Sequence, residues 1–103
     1  MHINFFKADR SEYTLGTVSF NWLNEHNAFD LFQEDHNEES DIIFVTTGID
    51  KCNDLSAVVR DIAQTMPRPD LQSKLFGFAD FLMGAEKIAA VLDEGFPERA
   101  FAL

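Results

Sequence analysis

IIFVTTGIDKCNDLSAVVRDIAQTM, residues 42–66, changes its hydrophobic period partway along. Ile42–Thr47 is a β-branched and aromatic run closed by Gly48, and it predicts a buried central strand. Beyond it, Leu55, Val58, Val59, Ile62, Ala63 and Met66 recur at the three- and four-residue spacing of one helix face. A helix over 54–66 follows, with Asn53 as its N-cap and Pro67 as its stop.

Downstream the helical pattern returns. Pro69 precedes a second helix over 70–93, in which Leu71, Leu75, Phe78, Leu82, Ala85, Ala89 and Leu92 alternate spacings of four and three. Phe76, Phe81, Met83, Ile88 and Val91 widen the apolar surface, leaving a narrow polar strip of Ser73, Asp80, Lys87 and Glu94. Gly84 is a point of bending or breakage, and Gly95 and Pro97 end the element. A helix this apolar is covered by its own domain or by another chain, so a homodimer through 70–93 is one expectation. The tail beyond 95 is apolar enough to dock back.

Upstream the pattern is strand-like. Ile3 and Phe5 alternate with Asn4 in a strand over 2–7. Residues 13–22 alternate again, with Val18, Phe20 and Trp22 on one face and a reversed phase before Gly16. A bulge at Gly16 accounts for the reversal and gives an N-terminal hairpin. A helix beginning near Thr17 is the competing reading. A short helix near Asn27 carries Phe29 and Phe32, and residues 33–40 form an exposed acidic loop. The expectation is an α+β single domain over 1–103, with a small, mostly antiparallel sheet of three to four strands packed against two principal C-terminal helices.

The charge is one-sided. Residues 11–50 contain nine acids and neither Lys nor Arg, and this run carries most of the net charge of −10. Six of those acids fall between positions 30 and 41, beside Phe29 and Phe32. Such a balance disfavours direct contact with nucleic-acid phosphates or an anionic membrane. Asp80, Glu86 and Lys87 interrupt the longest apolar stretch, residues 75–92, which excludes a membrane span there. The N-terminal residues have no signal-peptide pattern. A single cysteine, Cys52, rules out an internal disulfide framework and fits a reducing, cytoplasmic setting.

Chemistry-bearing motifs are sparse. His26 and Asp30, or His36 among Glu34, Asp35, Glu38 and Glu39, could ligate a metal. There is no His pair at helical spacing and no calcium-loop pattern, so the acids read as solvated. Cys52 lies near a helix start, where a thiol can be activated, but a lone cysteine there is ordinarily a packing residue. Gly48 alone does not make a phosphate loop, and Asp50 and Asp54 would repel phosphate. No catalytic residue, cofactor or metal is expected.

The expected function is a small acidic protein-binding inhibitor, most concretely a bacterial immunity protein or antitoxin that occludes the active site of a basic, nuclease-type toxin. The residues assigned to that contact are Trp22, Glu25, Phe29, Asp30, Phe32, Glu34, Asp35, Glu38, Glu39 and Asp41. The carboxylates would steer association with a basic partner, and the aromatics would anchor it. Two alternatives stand beside it: a phage DNA-mimic inhibitor of a restriction or CRISPR effector, and a small enzyme or ligand-binding protein with a pocket between sheet and helices that uses His26 or Cys52.

Overall fold

The computed structural model describes residues 2–30, 42–92 and 95–101. Its elements, in chain order, are β1 (His2–Phe6), β2 (Glu12–Gly16), α1 (Thr17–Glu25), β3 (Ile42–Thr47), α2 (Ile49–Ala63), α3 (Pro69–Leu82), β4 (Lys87–Leu92) and α4 (Glu98–Phe101). The four strands form one antiparallel sheet in the order β2-β1-β4-β3. This is the expected α+β architecture, with α2 and α3 packed against the sheet.

Alternation explains the layering. Ile3 and Phe5 of β1, Leu15 of β2, Phe44 of β3 and Ile88 and Ala90 of β4 enter the main core with the helices. Phe5 lies at the centre, with its ring centroid 4.4 Å from Phe78, 5.9 Å from Phe44 and 6.2 Å from Phe29. On the opposite face, Val45 and Ala89 pack beneath Ala100 and Phe101. Phe6 meets Phe96 edge to face at 5.6 Å. The tail therefore docks back, covering the sheet face that the long helices leave open.

Several sequence expectations are corrected. β3 is an edge strand, not a central one; its burial comes from the helices on one side and the tail on the other. α2 starts at Ile49, with Gly48 as N-cap, so Cys52 sits inside the first turns and Asn53 is not the cap. Asn53 instead braces the chain reversal after α3, where its side-chain oxygen accepts the Gly84 N–H at 2.7 Å.

The expected 70–93 helix ends at Leu82. Gly84 adopts φ 80°, a left-handed conformation that suits glycine, and the chain reverses into β4. Ile88, Ala89, Ala90 and Val91 are all buried, because β4 is a central strand covered on both faces. A strand buried on both sides has no alternation to betray it, and its alanines continued the helical pattern. The continuous apolar helix on which a 70–93 dimer rested is not formed.

The second N-terminal strand is likewise shorter than expected. It stops at Gly16, which is the N-cap of α1 rather than a bulge. α1 then ends in a Schellman turn: Ala28 N–H donates to Leu23 O at 3.0 Å, and Asn27 N–H donates to Asn24 O at 3.0 Å. Asn27 takes φ 63° there, so it terminates a helix instead of starting one.

α2 and α3 are joined by polar bonds as well as apolar packing. The buried Ser56 hydroxyl donates to Ala79 O at 2.6 Å, and Gln72 Nε2 donates to Ala63 O at 3.0 Å. Arg60 pairs with Asp80 at 2.7 Å. No helix among the described residues is long and apolar enough to cross a membrane.

Candidate interaction surface

Of the ten residues assigned to a partner contact, Trp22, Glu25, Phe29 and Asp30 lie in the described structure. Phe32, Glu34, Asp35, Glu38, Glu39 and Asp41 lie outside the described residues, as does the predicted acidic loop at 33–40.

Phe29 is not an exposed anchor. It is 5% exposed and stacks on Phe20 at 5.1 Å while packing on Phe44 at 5.0 Å. The Schellman turn directs the chain back onto the sheet, and Phe29 enters the core two residues after Asn27.

Trp22 remains partly open. Its ring lies 4.5 Å from that of His26, one helical turn later, and its far side packs on the core. Its indole Nε1 is buried and has no hydrogen-bond partner among the described residues. His26 Nδ1 lies 2.8 Å from Trp22 O, which fixes the imidazole over the end of α1.

Glu25 and Asp30 are exposed and flank the same turn. Both stand near the negative end of the helix dipole, where a carboxylate is mildly unfavourable and a base would be preferred. α1 has no basic residue in its last turn. The local acidity therefore does not help the helix.

A wider asymmetry links these residues. Among the described residues, Arg10, Arg60 and Arg68 pair with Glu98, Asp80 and Asp70. Lys7 donates to Phe81 O at 3.0 Å and lies over the Phe81 ring, while Lys74 and Lys87 lie over Tyr13 and Phe101. These bases serve the fold. By contrast, Glu12, Glu25, Asp30, Asp50, Asp54, Asp61 and Glu86 are exposed and have no ion-pair partner among the described residues. Asp50, Asp54 and Asp61 share one side of α2, within about 40° at 100° per residue. The sequence reading missed this row because the acids are distributed at helical spacing through an otherwise ordinary amphipathic helix.

The alternative chemical residues are placed differently. Cys52 is fully buried, with its thiol 3.9 Å from Thr46 O. Two surface cavities of about 250 and 380 Å³ are lined by neither Cys52 nor His26. Among the described residues no group of three or more His, Cys, Asp or Glu side chains is placed to hold a metal ion. No family model, curated protein or solved structure matches this chain.

Proposed function

We propose that the chain is a small acidic protein-binding inhibitor that neutralises a basic partner, in the manner of an immunity protein or antitoxin against a nuclease-type toxin. The observation that supports this reading is the division of charge. Most of the bases are engaged in ion pairs or ring contacts within the chain, while seven exposed acids, Glu12, Glu25, Asp30, Asp50, Asp54, Asp61 and Glu86, have no ion-pair partner among the described residues. Mixed signs are the common solution for a soluble surface, because self-repulsion costs stability. A complementary basic surface offsets that cost on binding, and the field of the acids speeds the encounter.

Within this reading, Glu25, Asp30, Glu34, Asp35, Glu38, Glu39 and Asp41 present carboxylates where a nuclease holds phosphates. Trp22 is the aromatic available at the edge of that acidic stretch. Phe29 holds the turn from beneath. The test is affinity capture from the native cell at low salt, with wild-type protein and a Glu34→Lys, Asp35→Lys, Glu38→Lys, Glu39→Lys variant side by side. A basic protein retained only by the wild type, released by salt and inhibited by the wild type in a nuclease assay is the expected result. Equal retention by both proteins refutes the assignment.

A second reading, a DNA-mimic inhibitor, draws on the row of Asp50, Asp54 and Asp61 along α2. It is distinguished by charge reversal on α2: loss of inhibition there, with the 34–39 variant fully active, favours the mimic.

A further inference from the structure

We propose that the free edge of β2 is a self-association surface, where a second copy of this chain adds its own β2 antiparallel and joins the two sheets. The proposal is independent of the acidic-partner reading.

The ladder fixes which way the β2 backbone points. Lys7 N–H donates to Ser11 O at 3.0 Å at the hairpin end, so the bonded pairs alternate from there to Phe5–Tyr13 and Ile3–Leu15. The intervening residues Glu12, Thr14 and Gly16 direct their peptide groups away from β1. β2 is the last strand of the sheet on that side, and no backbone bond beyond the ladder engages the peptide groups of Glu12 or Thr14 among the described residues. Such an edge is a template for another strand unless it is blocked. The blocks that proteins ordinarily place there are few: β2 has no proline and no lysine, and Glu12 is its only charged side chain.

A second copy is the occupant that the pattern accommodates. Pairing about a two-fold axis at Thr14 sets Thr14 opposite Thr14 of the second copy, and Glu12 opposite Gly16. The lone carboxylate then meets a residue without a side chain rather than another carboxylate. On the helix-covered face, Tyr13 falls beside Leu15 of the second copy, an aromatic–aliphatic cross-strand pair. Thr14 N–H and C=O exchange bonds across the axis, and Gly16 N–H reaches the Glu12 carbonyl of the other chain.

Charge points the same way. A chain of net charge −10 repels its copy, so self-contact is least opposed where bases gather. Arg10, paired with Glu98, precedes β2, Lys74 lies over Tyr13, and the 380 Å³ cavity beside Gly16 and Thr17 is lined by Lys74 and by the Arg68–Asp70 pair, so both signs of charge are mixed at this edge. Val18, 57% exposed, adds apolar surface at the same end.

The test is sedimentation equilibrium of the full chain from micromolar to millimolar concentration. The wild type is expected to dimerise, more tightly as salt screens the repulsion. Thr14→Pro removes an outward N–H and the 2.7 Å bond of the Thr14 hydroxyl to Asn4 Oδ1; it should stay folded by circular dichroism and weaken dimerisation at least tenfold, whereas Thr14→Val, which loses only the hydroxyl bond, should dimerise like the wild type. Thr14→Lys and Thr14→Glu place like charges face to face and should each be monomeric alone, yet form a heterodimer when mixed. A wild type monomeric throughout the range overturns the proposal. So does a dimer unaffected by Thr14→Pro, Thr14→Lys and Thr14→Glu, or a Lys/Glu mixture that stays monomeric.

Discussion

The Tyr13 hydroxyl crosses from β2 to α3 and donates to Lys74 O at 2.8 Å, lying so close to Gly77 that a β-carbon there would overlap it. A glycine inside a helix sacrifices about 1 kcal/mol relative to alanine. Here it makes room for the hydroxyl that ties the hairpin to the helix layer. Gly77→Ala should therefore destabilise the protein by about 1–3 kcal/mol in chemical denaturation, despite its better helix propensity. In a Tyr13→Phe background the nearest atom becomes the ring carbon Cζ at 3.3 Å, a tight contact that a small shift of the ring relieves, and the same substitution should become close to neutral or stabilising by up to about 1 kcal/mol. Equal effects of Gly77→Ala in both backgrounds would contradict this account.

Tyr13 also gives a pH prediction that can be read without ambiguity, because it is the sole tyrosine. Partial burial, with Asp80 as the second cause, raises its pKa above the ordinary value of 10.0. The folded state therefore holds the phenolic proton more tightly than the unfolded chain does. The stability this confers is complete below pH 10 and is lost as pH rises through the folded-state pKa. Ultraviolet titration should show phenolate appearing above pH 10, with unfolding at lower denaturant concentration over the same range. A midpoint at or below 10.0 would show that the site is not desolvated.

The acidic turn at the end of α1 combines a buried ring, Phe29, with two exposed carboxylates, Glu25 and Asp30. Phe29→Ala should cost about 3–5 kcal/mol, as removal of a buried aromatic does. Glu25→Lys and Asp30→Lys should change stability by no more than about 0.5 kcal/mol, or raise it, because each places a cation near the negative helix end. The three variants can be compared by urea denaturation monitored through Trp22. If Phe29→Ala proves harmless, the ring is a surface anchor after all.

Much of the fold was legible in the sequence. The β1 strand and the two helices each carried a clear hydrophobic period, and Ile42–Thr47 showed as a compact β-branched and aromatic run. What was lost traces to particular residues. Ile88, Ala89, Ala90 and Val91 are buried on both faces of the sheet, so their strand shows no alternation. Gly16 marked the right place but the wrong event, since both a bulge and a helix N-cap accept glycine. Asn27 carried the signal that would have resolved α1: an asparagine at the left-handed position after a helix is a stop. Of the residues assigned to a partner contact, Glu25 and Asp30 are exposed as expected, because acids need no fold to be exposed. Phe29 was misassigned, because a phenylalanine among acids looks like an anchor until the turn beneath it is known.

The central claim is that the acids serve recognition, and the association rate constant tests it most directly. The captured basic partner would be mixed with wild-type protein and with the 34, 35, 38 and 39 charge-reversal variant by stopped flow across a salt series. The account predicts wild-type association that slows steeply as salt rises, on the order of tenfold between dilute buffer and physiological ionic strength. It also predicts a variant that associates slowly with little salt dependence. Indistinguishable rates and salt slopes for the two proteins would contradict the claim.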